Sequence, residues 1–319
     1  MLDKIRHAIY RTKYVHGPKL SLRAPVDVSL ELSSACNMAC SYCYHADKKN
    51  LPFTIGVMSW ETARRIVESA SDAGVHSLKF NYRGESTLNP IFPDVTFLAR
   101  RLAHGSTFLE RITNSNFKFD STKDEIFRGL ANQTKVKISY DSFTKEVFEK
   151  QRTGGDHDRT TQNIDLFYDH PSRIRSETQM VIQAVRTTAN KDEDIAGLAK
   201  RRWPEATISI RDMVAGRVEK DVSSLENKVR DDSERQTCIQ AHVRLMFDWT
   251  GKAGVCCPDI GNKLRVGDIY RNTVAEIFNS EAARLIRKEL KSGKAFDREP
   301  CKSCSSFESF KGFKPNWNS

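Results

Sequence analysis

The stretch Glu31-Leu-Ser-Ser-Ala-Cys-Asn-Met-Ala-Cys-Ser-Tyr-Cys-Tyr44 places three cysteines, Cys36, Cys40 and Cys43, in a C-x3-C-x2-C array. It follows Val26-Asp-Val-Ser-Leu-Glu-Leu32, whose alternation of apolar and polar residues reads as a strand. Three thiolates on one short loop can hold three corners of a four-iron cluster, which ordinarily takes four cysteine ligands. The fourth iron is then open to another molecule. Zinc competes for the same residues, but a structural zinc site is closed by four ligands, and His45 next to the loop is awkwardly placed to be the fourth. Structural cysteines that bind nothing are usually buried singly rather than crowded together. The array therefore points to iron–sulfur chemistry.

Outward from the loop, strand-like and helix-like segments alternate. Ser59 to Ala73 reads as a helix, with Ser59 as N-cap and Gly74 as its stop. Strands are expected at 77–82, 108–113, 136–140, 177–185 and 207–210, and further helices at 92–103, 123–131 and 160–168. Strands separated by helices signal βαβ units and a parallel sheet. Six such units make a partial barrel, an α/β fold whose chemistry sits in the loops after the C-terminal strand ends.

Composition narrows the class. A chain of 319 residues has room for one large domain and a smaller one. No apolar run reaches the ~18 residues of a membrane span, and the N-terminus lacks the pattern of a signal peptide, so a cytoplasmic location without a membrane partner is expected. Such a compartment directs the eight cysteines toward metal or redox chemistry rather than disulfides. The net charge of +10 admits an anionic partner. The densest basic cluster, Lys200-Arg201-Arg202, reads as a solvated face.

The cysteine loop resembles that of the radical S-adenosylmethionine (radical SAM) superfamily, C-x3-C-x-aromatic-C, with Tyr42 as the aromatic residue. The resemblance implies a (β/α)6 partial barrel in which the amino and carboxylate groups of S-adenosylmethionine chelate the open iron of a [4Fe–4S] cluster. An external donor such as flavodoxin or ferredoxin would supply the electron that cleaves the sulfonium to a 5′-deoxyadenosyl radical, which abstracts a substrate hydrogen atom. The cofactor carries the hard chemistry, while the protein supplies ligands and orientation. Asn81-Tyr-Arg-Gly-Glu-Ser-Thr-Leu-Asn-Pro90 resembles the family's Gly-Gly-Glu motif, with Arg83 in place of the first glycine. Gly84 and Glu85 carry over, and the carboxylate suits an ammonium group. Asn114, in Thr113-Asn-Ser115, stands where many members have Thr-Asn-Gly. Ser139, in Ile138-Ser-Tyr-Asp-Ser142, is the implied contact for the ribose or carboxylate of the cofactor. Arg152, in Gln151-Arg-Thr-Gly-Gly155, is a candidate carboxylate partner, because a guanidinium binds carboxylates bidentately. Each of these polar residues is also the kind that caps helices or satisfies backbone.

The remaining cysteines, Cys238, Cys256, Cys257, Cys301 and Cys304, lie in a C-terminal segment that resembles the SPASM/twitch extension of radical SAM enzymes, including a G-x4-C step from Gly251 and a late C-x2-C pair. A full SPASM domain continues with further cysteines and holds two auxiliary clusters. The shorter form implied here holds one auxiliary [4Fe–4S] cluster on Cys238, Cys256, Cys301 and Cys304, giving two clusters in all; a zinc knuckle is the competing reading. The expected division is an N-terminal extension over 1–25, the barrel over 26–215 and the auxiliary domain over 216–319.

Cys257 is then left over. It is either an inert, partly buried thiol or a hydrogen-atom donor, the device by which radical epimerases of the family are thought to invert a stereocentre. The leading expectation is oxidation of the substrate through the auxiliary cluster, with epimerisation through Cys257 as the alternative. A zinc-stabilised nucleic-acid-binding protein is the alternative of another class, supported by charge alone. Only about 25 residues precede the first strand, too few for a peptide-binding domain of ordinary size. That favours a small molecule, a sugar or a nucleoside over a leader-guided peptide substrate.

Overall fold

The computed structural model describes residues 2–105, 107–119, 123–212, 238–297, 299–302 and 304. Six strands pair in parallel in chain order: β1 (Asp27–Leu30), β2 (Ser77–Lys79), β3 (Glu110–Ser115), β4 (Lys135–Ser139), β5 (Gln179–Arg186) and β6 (Thr207–Asp212). β7 (Arg244–Phe247) lies parallel on the other side of β1, and β8 (Lys252–Gly254) and β9 (Arg265–Asp268) continue antiparallel. The sheet runs β6-β5-β4-β3-β2-β1-β7-β8-β9 and leaves β6 and β9 as its edges, so the barrel is open. The helices are α1 (Leu2–His16), α2 (Trp60–Asp72), α3 (Phe92–Leu102), α4 (Lys123–Ala131), α5 (Lys145–Gln151), α6 (His157–Tyr168), α7 (Pro171–Arg175), α8 (Ile195–Arg202), α9 (Gln240–Val243), α10 (Val274–Phe278) and α11 (Glu281–Lys291).

Local signals set several of these ends. The Ser59 hydroxyl accepts from the Thr62 N–H at 3.1 Å, and Gly74 takes φ +68° just beyond α2, a conformation glycine adopts without steric cost. Lys200-Arg201-Arg202 forms the last turn of α8, where cations face the negative end of the helix dipole. β2 is shorter than expected, because the chain leaves the sheet after Lys79 and the residues from Asn81 onward form the loop that approaches the cysteines. The N-terminal extension is not a loose tail: α1 brings Tyr10 against Val26 and Val243, and its hydroxyl donates to Glu110 at 2.9 Å. The C-terminal segment, expected as a separate unit, shares the barrel's sheet through the β1–β7 pairing. The boundary expected near 215 lies outside the described residues.

A parallel sheet is usually apolar on both faces, but here the faces differ. Val28, Leu30, Leu78, Val136, Ile138 and Ile182 turn toward the helices and join one core. The alternate residues turn inward and are largely polar, with the apolar Ile112, Val181, Val185 and Met246 among them. Buried Asp27 pairs with Lys79 and, at 2.7 Å, with Arg244, and Glu31 pairs with Arg83. The inward face is thus built to hold polar groups.

Candidate active site

The cysteine loop leaves the end of β1 and is pinned from several sides. Ala39 N–H donates to the Thr153 carbonyl at 2.7 Å and Ser41 N–H to the Gln151 carbonyl at 2.9 Å. Asn37 donates to the Lys118 carbonyl at 2.8 Å, and Asn116 donates to the Asn37 side chain at 2.6 Å and approaches the Cys36 sulfur at 4.0 Å. Burial pushes the Cys36 thiol up to about 12, with the Glu85 carboxylate adding to the effect. Burial also raises Cys40, partly offset by the Arg152 guanidinium. These thiols are neutral on their own, so a cluster would bind them with release of protons. His45 serves a different purpose: it is buried, stacks edge-on with Phe53, and its Nε2 lies 3.1 Å from the Arg83 carbonyl.

The loop after β2 packs directly on this one. An atom placed at the Cβ position of Gly84 would lie 2.4 Å from the Ala35 carbonyl and 2.5 Å from that of Ser33, so only glycine allows the contact. Glu85 N–H donates to the Ala35 carbonyl at 2.8 Å. The buried Glu85 carboxylate accepts from Thr87 Oγ1 at 2.6 Å and from the Asn116 N–H at 2.8 Å, bracing the loops after β2 and β3. Arg83 forms a forked pair with Glu31, Nε to Oε1 at 2.7 Å and Nη2 to Oε2 at 2.5 Å. Its guanidinium lies over the rings of Phe53 and Tyr82, and its third nitrogen donates to the Ile260 carbonyl at 2.9 Å.

A second buried ion pair stands at the end of β4. Arg152 Nη2 donates to Asp141 Oδ1 at 3.1 Å, and Nη1 lies 3.8 Å from the Cys40 sulfur. Asp141 also accepts from the Tyr42 hydroxyl and from the Val185 N–H at 2.8 Å. Tyr42, Asp141, Arg152 and Cys40 therefore form one network, in which the guanidinium is already engaged by a carboxylate. Asn114 and Ser139 lie on β3 and β4, in register with Lys137 and Gln183 respectively.

Toward the C-terminus, Cys238, Cys256, Cys301 and Cys304 line one apolar cavity together with Val255, Leu264 and Ile286. Burial raises the Cys238 thiol to about 12 and raises Cys256 as well, with the neighbouring thiols adding. Cys257 does not line this cavity and lies within electrostatic reach of Arg244. The loop that follows is tied to the barrel: Tyr82 donates to the Asp259 carbonyl at 2.9 Å and Asn262 to Asp248 at 2.8 Å. No disulfide joins any of the eight cysteines, all of which are described.

The Radical SAM superfamily model matches residues 30–187, and that of an iron–sulfur cluster-binding domain, SPASM, matches residues 238–305. The chain belongs to the radical SAM superfamily and carries a C-terminal SPASM domain. No curated protein matches it. Among solved structures, anSMEcpe with bound AdoMet is similar at 18% identity and a TM-score of 0.65, over 90% of this chain and 85% of that one. BtrN in complex with AdoMet and 2-DOIA is similar at 16% identity and a TM-score of 0.56, over 88% and 92%. Streptococcus suis SuiB bound to S-adenosylmethionine is similar at 13% identity and a TM-score of 0.59, over 89% and 72%. At these identities the likeness is one of fold.

The residues of this radical SAM protein fit the groups its family implies. Three thiols share a braced loop, the Gly84 turn presses against that loop where only glycine fits, and four more thiols surround one cavity. Among the described residues no three His, Cys, Asp or Glu side chains converge tightly enough for a single ion; a four-iron cluster binds its thiolates at separate corners and spreads them further apart. Reading from sequence missed Glu31, Asp141 and Asn116 as site residues. Asp141 was legible as the acid of Ser139-Tyr-Asp141, whereas Glu31 pairs with Arg83 from 52 positions away and had no local signal. Among the described residues no helix is long and apolar enough to cross a membrane.

Proposed function

We propose that this radical SAM protein dehydrogenates a small substrate, with Cys36, Cys40 and Cys43 holding the radical cluster and Cys238, Cys256, Cys301 and Cys304 an auxiliary [4Fe–4S] cluster. When bound, S-adenosylmethionine and the clusters supply a 5′-deoxyadenosyl radical that takes a hydrogen atom, and an acceptor for one electron. The substrate would then release a proton from the adjacent O–H or N–H to solvent, so that two hydrogens leave in all. The observation that carries this reading is the common cavity of the four C-terminal cysteines, joined to the barrel by the β1–β7 pairing.

The chain's own residues bind and orient. Gly84 lets the loop after β2 lie against the cysteine loop, and its backbone together with Glu85 would receive the ammonium of the cofactor. Tyr42, Asn114 and Ser139 would border the adenosyl end. Arg152 steadies Asp141 and donates toward the Cys40 sulfur; hydrogen bonds to cluster sulfurs tune reduction potential. An external electron donor such as flavodoxin or ferredoxin is part of the proposal.

One observation favours a second reading, epimerisation: Cys257 does not line the cavity of the other four cysteines, although it is within electrostatic reach of Cys256, and it is also within electrostatic reach of the inward-facing Arg244. A thiol there could return a hydrogen atom to a substrate radical, with no net oxidation. Product mass decides between them. Loss of two hydrogens means dehydrogenation, and unchanged mass with deuterium taken up from solvent means epimerisation. Normal turnover by Cys257→Ala would remove the second reading.

A further inference from the structure

The inward faces of β2 to β6 carry more cations than the ion pairs among them use. Lys79 is paired with Asp27, and Glu110 accepts from Tyr10. Lys137, at the centre of β4, has no hydrogen-bond or ion-pair partner among the described residues. It sits one pleat below Ser139 and in register with Asn114 and Val181. Three cations lie within electrostatic reach of it: Arg211 from β6, Lys79 from β2 and Lys135 from its own strand. The one acid in that set is Glu110 of β3. A half-buried ammonium that is unpaired and outnumbered by cations around it costs free energy unless an anion completes it.

We propose that Lys137 and Arg211 receive an oxyanion of the substrate, a phosphate or carboxylate group, in the barrel lumen. The inference rests on the reading of the barrel as a radical enzyme and adds the chemical class of what it acts on. β6 is an edge of the open barrel, and Arg211 on it is exposed while Lys137 is half-buried, so an anion entering from that side meets the guanidinium first and the ammonium deeper in. Burial and the surrounding Arg211, Lys79 and Lys135, only partly countered by Glu110, hold the ammonium down to about 8. An anion bound there would raise it again, because an opposite charge favours the protonated form.

The test is calorimetric titration of inorganic phosphate, and separately acetate, into anaerobically reconstituted protein already loaded with S-adenosylmethionine. Saturable binding is expected from one of them, and which one binds tells phosphate from carboxylate. Lys137→Met and, independently, the exposed Arg211→Met should each weaken it at least tenfold. Lys137→Arg should retain binding. In the parent, affinity should fall as pH rises through about 8, and Lys137→Arg should abolish that fall. Circular dichroism reports whether each variant is folded. Absence of saturable binding, indifference to both methionine variants, or binding only when S-adenosylmethionine is omitted would overturn the inference; the last would assign Lys137 to the cofactor's own carboxylate. Reductive cleavage of S-adenosylmethionine by the parent is assayed alongside. No cleavage would overturn the proposed function, whereas no oxyanion binding in a protein that cleaves would overturn this inference alone.

Discussion

Around Cys36, Cys40 and Cys43 the polypeptide supplies its own scaffold, whereas Cys238, Cys256, Cys301 and Cys304 arrive from three separate segments and meet around an apolar cavity. The first loop is held by backbone bonds to Gln151 and Thr153, by the Asn37–Asn116 pair, and by the buried Arg83–Glu31 and Arg152–Asp141 pairs on either side. In the second, Cys304 N–H reaches the Cys301 carbonyl at 3.4 Å, the loop after Cys257 is held through Asp259 and Asn262, and the thiols themselves line an apolar cavity. A site braced by hydrogen bonds is preorganised before it binds anything. A site of gathered thiols leans on the metal for cohesion, since metal binding there is folding energy.

The sharpest way to break this contrast is to remove the ligands of each site. Changing Cys36, Cys40 and Cys43 together to Ala should abolish cleavage of S-adenosylmethionine and leave iron for one cluster, with the circular dichroism spectrum little changed. Retained cleavage in that variant, followed by chromatography of 5′-deoxyadenosine, would sink the radical assignment. Cys304→Ala should also lose a cluster, but with a lowered apparent melting midpoint and faster proteolysis of the C-terminal segment. Stoichiometric zinc in natively purified protein, with iron for a single cluster, would show that the second site holds the other metal.

Smaller changes sharpen the account of the scaffold. Arg83→Met strands the Glu31 carboxylate in a site with 0% exposure and should cost about 3–5 kcal/mol in denaturant unfolding. Replacing Glu31 with Leu in the same chain should recover part of that loss, because the stranded charge is then gone. Full stability in the single variant would mean that water reaches Glu31. The smallest effect is expected at Glu85. Glu85→Ala leaves the Asn116 N–H without its acceptor and should cost about 1–3 kcal/mol. If Glu85 also receives the cofactor's ammonium, affinity for S-adenosylmethionine falls about ten- to hundredfold. Unchanged affinity with reduced stability would confine Glu85 to bracing.

Much of the barrel was legible because its signals are local. Ser59 and Gly74 mark the ends of α2, and the radical cysteines are neighbours in the chain. Strand ends were legible only to within a few residues. β2 stops at Lys79 because the following residues are drawn away to pack on the cysteine loop, a tertiary effect. The replacement of a motif glycine by Arg83 was visible from sequence as a departure without a reason. The reason is Glu31 on one side and the Ile260 carbonyl on the other, at separations of 52 and 177 residues.

The sequence by itself determined the ligand sets, since thiol spacing and flanking turn residues are written in neighbouring positions and limit what each short segment can bind. It also determined the alternation that sends Val28 and Leu30 to the helices and Asp27 and Glu31 inward. The tertiary structure alone decided that the C-terminal strands join the barrel's own sheet at β1, that Arg152 is paired with Asp141, and that Lys137 has no ion-pair partner among the described residues. Each of those depends on which distant side chain occupies the space opposite. That is fixed only when the strands come into register and the desolvation of every charge is met, or left unmet, by its neighbours.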